Sequence, residues 1–494
     1  MRPCVGQCGW HYRRPATGWL RFSAVDNPAR GVDAVVVGAG PNGLTAAARL
    51  ARRGWKVVVY EAAATIGGGS RTKPLTADSV FDVCAAVHPF GVSSPAFEEL
   101  HLGDHGLEWL YPRVGLAHPF DDGTAAALYR DVDETCAGLG PDADRWRARV
   151  GRLAADWDRL RHLVLGPVIG GSLQHPLQMG RFGALAGLPA STAVRLFRTR
   201  EAKALLGGFS AHAGTALDQP ATAGVGLSML AAAHAVGLPV ASRGSQSIVD
   251  ALAAIVRGAG GEIVCDQPIT SLRQLPPARA TLLDVTPGQF ASMAGRPASR
   301  WKHGVAAWKL DLLLSGPMPW AAAVCADAGT VHLGGEFHDI AVAEKRTARG
   351  ELPRRPYVIV NQPSISDPSR APHGHHVIWA YRHVPNGCAA PEATTGIEMQ
   401  FDRFAPGWRD LVVHSRVMTA GDYADYNPSY IGGDIAGGAM TFRQVVARPR
   451  LSVDPYRTAV AGVWLCSQST PPGPGVHGMS GWLAAGAVLA GDRR

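Results

Sequence analysis

The sequence predicts an α/β protein, with a parallel-sheet unit near the N-terminus and a second, strand-rich region later in the chain. Three observations carry this. Asp33 to Val37 is a short apolar run that leads through a glycine-rich turn into an Ala-rich stretch, Gly43 to Arg53, and then a second run, Lys56 to Tyr60. Unbroken Val-rich strands suit a sheet covered on both faces, and about 30 residues is the length a right-handed parallel crossover needs. From 300 to 450 the pattern changes to separate strands such as Ala306 to Leu314 and Tyr357 to Val360, divided by the turn clusters Ser366 to Ser369 and Pro385 to Gly387.

The elements follow in order. Gly54 closes the first helix as its C-cap. Residues 95–240 read as mainly helical. Asp144 to Leu165 carries apolar residues at helical spacing, and Ala223 to Val236 is a small-residue, buried helix. Ser247 to Gly258 places Ile248, Leu252, Ile255 and Val256 on one face and leads through Gly260 and Gly261 into the strand Glu262 to Cys265. Ile269 to Leu272 is expected to return to the first sheet. The chain closes with a strand, Gly462 to Cys466, a Pro/Gly loop, Pro471 to Gly478, and a helix, Trp482 to Leu489.

Composition narrows the functional class. The 494 residues exceed what one core organises, so two or more domains are expected. Hydrophobic residues at 46% and charged residues at 18% mark a globular chain. The net charge of +8 is dispersed, with no basic run interleaved with aromatics, so no nucleic acid is expected as partner. Eight cysteines lack regular spacing and include no Cys-x-x-Cys, which argues against a redox dithiol and for a reducing, cytoplasmic setting. No apolar run reaches the roughly 18 residues of a membrane-spanning helix; peripheral membrane contact stays open. Residues 1–30, with Arg2, Arg13, Arg14, Arg21 and Arg30 against Asp26, read as an extension outside the fold, with an organellar transit peptide as the alternative.

Three motifs carry the chemistry. In Gly38-Ala-Gly40-Pro41-Asn42-Gly43, the first glycine permits a tight turn, the second admits a pyrophosphate and the third lets helix and strand pack closely. The helix N-terminus offers free N–H groups to phosphate. Glu61, about 20 residues on and followed by Ala62, is placed to accept from ribose hydroxyls. Together these define a Rossmann-like dinucleotide-binding unit. The second motif, Gly67-Gly68-Gly69-Ser-Arg71-Thr72, is what a cofactor longer than NAD would use, and so points to FAD. Arg71 would offer charge to the phosphates or packing to the ring, or else be a solvated surface residue. The third, Gly475-Val476-His477-Gly478 before the last helix, would bring backbone to the flavin edge. Ile269 is placed with the cofactor-facing positions.

These motifs, in this order, resemble the phytoene desaturase-like branch of the FAD-dependent amine oxidase and carotenoid desaturase superfamily. The resemblance extends over about residues 33–490 and includes Asp82 to Pro89, Gly244 to Ser247, Ala328 to Gly334 and Ile431 to Asp434. It implies noncovalent FAD and an FAD/NAD(P)-binding Rossmann-like domain with a discontinuous α+β substrate domain. The first would comprise 31–95, 240–300 and 450–494, and the second 96–239 and 301–449. It implies hydride abstraction from a small apolar, isoprenoid-like substrate, with an electron acceptor the residues do not identify. Pro474 departs from the family's usual glycine and would stiffen the flavin-edge loop. Cys466 reads as a buried strand cysteine rather than a flavin attachment point.

Flavin chemistry needs no protein nucleophile, but desaturation needs a proton to leave to a base or to water. His88 and His477 are the catalytic candidates, with a packing role as the plainer alternative for each. If charged below about pH 6.5, His477 would also tune the flavin. No metal site is expected: His373-Gly-His-His376 reads as a solvated loop. Asp434 would face the substrate or cap a turn. Two further functions stand beside the leading one: an amine oxidase, which wants an aromatic pair at the flavin face, and a flavoprotein that binds or regulates a partner.

Overall fold

The computed structural model describes residues 31–168, 176–297 and 300–492. The N-terminal extension, with Cys4 and Cys8, lies outside the described residues. Strands are numbered β1 to β16 along the chain. Five of them, β1 (Ala34–Val37), β2 (Val57–Tyr60), β9 (Glu262–Val264), β10 (Ala280–Leu283) and β16 (Val463–Leu465), form one parallel sheet in the order β16-β10-β1-β2-β9. β1 lies at its centre, with Val37 level with Leu283 on one side and Tyr60 on the other. Its alternate residues supply two cores. Ala34 and Val36 pack with helices Pro41–Ala51, Gln246–Gly258 and Met479–Asp492, while Val35 and Val37 face a second layer that includes Leu283 and Met293. Each fully buried Val or Leu contributes roughly 1.5–3 kcal/mol relative to exposure.

The second sheet has seven strands in the order β15-β11-β14-β13-β12-β6-β7. They are β6 (Val114–Pro119), β7 (Ala125–Leu128), β11 (Ala306–Leu314), β12 (Ala328–Leu333), β13 (Val358–Asn361), β14 (His376–Val384) and β15 (Val412–Met418). All pairs are antiparallel except β12 with β6. Between the sheets in sequence lie the hairpin β3 (Thr72–Thr76) with β4 (Ser79–Asp82), and the short pair β5 (Trp109–Leu110) with β8 (Val240–Ala241).

Three expectations are corrected. Ile269 to Leu272 is not a strand. After β9 the chain turns at Asp266, with φ of 55°, and hydrogen-bonds back to Glu61 and Ala63, so the return strand is Ala280–Leu283. The region expected to be mainly helical contains β6 and β7, which extend the second sheet beyond residues 301–449. Their sequences, rich in Ala and Gly with little β-branching, hide them from strand propensity. Asp144 to Leu165 is not one helix but a series of short turns around a π-helical stretch, Arg147–Gly151, ending in the helix Trp157–Val164. At that break, a Cβ on Gly151 would lie 3.2 Å from Val132.

Candidate functional site

One large cavity, about 2620 Å³, opens at the C-terminal ends of β1, β2 and β10 and reaches the inner faces of β12, β13 and β14. The ends of parallel strands are where open α/β sheets bind ligands. The first turn is built as its glycines demand. Gly38 has φ of +103°, where only glycine is unstrained, and a Cβ on Gly43 would fall 2.0 Å from the Gly38 carbonyl. Gly40 caps the helix Pro41–Ala51 without a side-chain hydrogen bond, leaving the helix end open to a ligand. Gly38, Gly40, Pro41 and Asn42 line the cavity; Gly43 does not, and its role is packing.

Glu61, at the end of β2, is buried in the same wall. One carboxylate oxygen accepts from the Ala39 N–H at 2.7 Å, and the other from Ala63 N–H at 3.0 Å. Arg71 completes this arrangement and is not a solvated residue. Only 4% exposed, it donates to Glu61 at 3.2 Å and to the carbonyls of Thr65 and Ile66. It therefore ties the loop before the second glycine cluster to Glu61 rather than standing free for phosphate. Ala62, Gly68, Gly69 and Thr72 join it in the cavity wall, whereas Gly67, with φ of +131°, packs on Arg71 away from it. Gly68 comes so close to Gly40 that a Cβ on it would lie 3.2 Å from the Gly40 Cα, so the two glycine motifs form one cradle. Ile269 lines the wall from its turn.

The third motif closes the cradle. Gly475, Val476 and His477 line the cavity. Gly478 instead lets the loop settle on the first helix, where a Cβ would strike Thr45. His477 is 1% exposed, and its Nδ1 accepts the Met479 N–H at 3.0 Å. Burial pushes its pKa down to about 4, with bonds to the Gly473 and Pro474 carbonyls opposing. A ring with that pKa is neutral at pH 6.5, which differs from the titratable charge the motif suggested. His88 fares similarly: it shares a 2.7 Å hydrogen bond with Ser245, and burial drives its pKa to about 4 against the attraction of Asp82. Both rings line the cavity as neutral, internally bonded groups. Cys466 is fully buried after β16, and burial raises its thiol pKa. Asp434 is both a turn cap and a wall residue, accepting from the N–H groups of Gly304 and Ala436.

Two groups escaped sequence reasoning. Asp284, one residue past β10, is buried under the first turn and accepts from the Gly43 N–H at 3.1 Å. Burial raises its pKa to about 7, Glu61 adds to this, and the Gly43 bond opposes it. The other group, at the far end, comprises His212, His332, Tyr381 and His383. Its members come from separate elements, so no linear motif announces them.

A dinucleotide fits the cradle on two counts. Gly38, Gly40, Gly68 and Gly69 line it without side chains, and Asn42 Oδ1 and Ser70 Oγ, in residues lining the same cavity, are buried with no hydrogen-bond partner among the described residues. Buried polar atoms are seldom left so unless a ligand or water completes them.

Fold and cradle together define a Rossmann-like dinucleotide-binding architecture with a second, mostly antiparallel sheet. The model of the NAD(P)-binding Rossmann-like domain matches residues 36–101. Over 96% of both chains, the protein is 27% identical to the pyridine nucleotide-disulfide oxidoreductase domain-containing protein 2 of Rattus norvegicus, so the resemblance read from the motifs holds along the full length. A shorter match, 35% identical over 119 residues, covers 23% of this chain and 22% of a limonene dehydrogenase chain of Castellaniella defragrans. Among solved structures, putrescine oxidase bound to putrescine superposes with a TM-score of 0.60 at 15% identity, covering 94% of this chain and 99% of the other.

Proposed function

We propose that this chain is an FAD-dependent oxidoreductase that dehydrogenates an apolar, isoprenoid-like substrate. The observation that carries the proposal is the double-glycine cradle, in which Gly40 and Gly68 meet below a free helix N-terminus and beside Glu61. FAD, when bound, supplies the hydride acceptor. The chain's own residues do the rest. Gly40 and the open helix end receive the pyrophosphate, and Glu61, held by Arg71, receives the ribose hydroxyls. Gly475 to His477 bring backbone to the ring edge. The substrate side is walled by Leu116, Phe209, Val225, Met229 and Leu238, which favour a ligand with an apolar carbon skeleton. A relative named for limonene, a terpene hydrocarbon, supports the substrate class.

The purified protein is expected to be yellow and to release FAD on heating, and Gly40→Val should abolish flavin binding while leaving far-UV circular dichroism unchanged. A folded, colourless protein that ignores added FAD would sink the cofactor. Anaerobic mixing of the flavin-loaded protein with terpene hydrocarbons, terpenols and primary amines tests the substrate. Bleaching of the flavin by amines alone would make the chain an amine oxidase, and bleaching by none of them would remove the hydride reading.

A further inference from the structure

His383 is 9% exposed at the far end of the cavity, on the face of β14 that also carries Trp379 and Tyr381. Its Nδ1 lies 2.8 Å from the carboxylate of Glu344, on the helix Phe337–Ala348, which packs against the same face of the sheet. Glu344 is 2% exposed and is not among the cavity-lining residues. Tyr381 packs edge-on against His383, with ring centroids 5.7 Å apart. Among the described residues no hydrogen bond engages Nε2, which faces Gly214 across the cavity, 4.0 Å from where a Cβ would stand.

The carboxylate decides the tautomer. An ionised carboxylate only accepts, so the Nδ1 proton belongs to that bond and a neutral ring turns its Nε2 lone pair to the cavity. Two more imidazoles border the same end. His212 and His332 approach at 3.5 Å between their Nε2 atoms, and burial pushes the pKa of His212 down to about 3 and that of His332 well below its usual value. The end of the cavity is thus lined by aromatic and imidazole rings, and His383 is the imidazole whose orientation a carboxylate fixes.

We propose that His383, positioned by Glu344, is a hydroxyl-recognition subsite: the ligand is an apolar compound that carries an alcohol group. An alcohol can donate to Nε2 and brings no charge into a pocket end lined by aromatic and imidazole rings. A phosphate or carboxylate finds neither lysine nor arginine among His212, His332, Tyr381 and His383, and meets Glu344 behind the His383 ring. An ammonium would lose its hydration with Glu344 shielded behind the imidazole, and so find no carboxylate in contact. A pure hydrocarbon would leave Nε2 dehydrated and unpaired, which costs more than the lost bond itself. The inference deepens the substrate clause of the proposed function and rests on it, but not on the identity of the cofactor.

The test is calorimetric titration of the full-length protein, as isolated, with farnesol, farnesyl methyl ether and farnesylamine, with flavin content read by absorbance on the same samples. Farnesol is expected to bind about tenfold more tightly than the ether, the value of one good hydrogen bond. His383→Leu should weaken farnesol to the level of the ether and leave the ether unchanged. Glu344→Gln, which no longer imposes the tautomer, should give an intermediate loss. The comparison of ligands on wild type stands even if a variant fails to fold. Equal binding of alcohol and ether, tighter binding of the amine, no binding of farnesol, or a His383→Leu loss shared by both ligands would each overturn the proposal. A colourless protein that still discriminates alcohol from ether would leave the subsite standing and refute the flavin reading instead.

Discussion

Asp284 is a buried carboxyl with a raised pKa beneath the first glycine turn. Its carboxyl sits under Gly38 and Gly40 and accepts from Gly43, at the helix end where a pyrophosphate would bring further negative charge. With a folded pKa raised to about 7 from an ordinary 3.8, the native state holds this proton more tightly than the unfolded chain. The sign follows: the proton favours folding, and stability is lost as pH rises from about 4 through 7. Asp284→Asn keeps an acceptor for the Gly43 N–H and removes the charge. It should stabilise the flavin-free protein above about pH 7 by on the order of 1–4 kcal/mol, with no difference near pH 4. Its FAD affinity should exceed wild type about tenfold near pH 8 and match it near pH 6. Thermal melts and flavin titrations across pH check both; a pH-independent difference would assign Asp284 to packing alone. At this scale the turn glycines and the place of Glu61 at the end of β2 were legible because the strand-turn-helix-strand unit fixes them at set spacing. Asp284 was not, because its meaning comes from pairing with a strand some 240 positions away in sequence.

Among the elements, the second glycine cluster depends on a side chain that sequence could place but not orient. Arg71 spans from the Thr65 and Ile66 carbonyls to Glu61, while Tyr426 donates to the Gly68 carbonyl at 2.5 Å from the other side. The loop is thus held between an arginine and a tyrosine from distant parts of the chain. A lysine carries the charge but lacks the planar fork that meets several acceptors at once. Arg71→Lys should therefore loosen residues 65–72, raising their amide exchange, and weaken FAD about tenfold, since the ribose acid loses its support. Unchanged exchange and affinity would return Arg71 to the role of a spectator. The same limit explains β6 and β7: their Ala-rich strands become strands only by pairing with β12 and each other, a tertiary cause that local pattern does not record.

Across the whole molecule, the hairpin β3–β4 and the start of helix Gln246–Gly258, which packs on the parallel sheet, meet the seven-stranded sheet at a buried hub. Asp82, at the end of β4, receives Arg370 at 2.8 Å, Thr72 at 2.7 Å and the Ser245 N–H at 2.8 Å, while its own carbonyl accepts from Lys309 on β11 and Trp379 on β14. Arg370 also holds Asp367 at 2.8 Å and the carbonyl of Ala241 in β8. Sequence reading marks Asp82 only as part of a family segment and passes over Arg370 and Asp367, because an ion cluster drawn from separate segments has no period. Removing the arginine leaves two carboxylates facing each other in a dry interior, so Arg370→Leu should cost about 3–5 kcal/mol near neutral pH. The dependence on pH tests whether charge is the cause. Burial alone would raise the pKa of Asp82 and of Asp367, yet both are held down, chiefly by Arg370 for Asp82 and by bonds from Ser369 and Arg370 for Asp367. Their contribution is therefore present above the unfolded value near 3.8 and is lost as pH falls below it. Denaturant titrations of wild type and Arg370→Leu should give curves well separated at pH 7 that converge near pH 3. Curves that stay equally separated at both pH values would mean that Arg370 acts through its packed volume, and that the hub is held together by shape rather than by this charge.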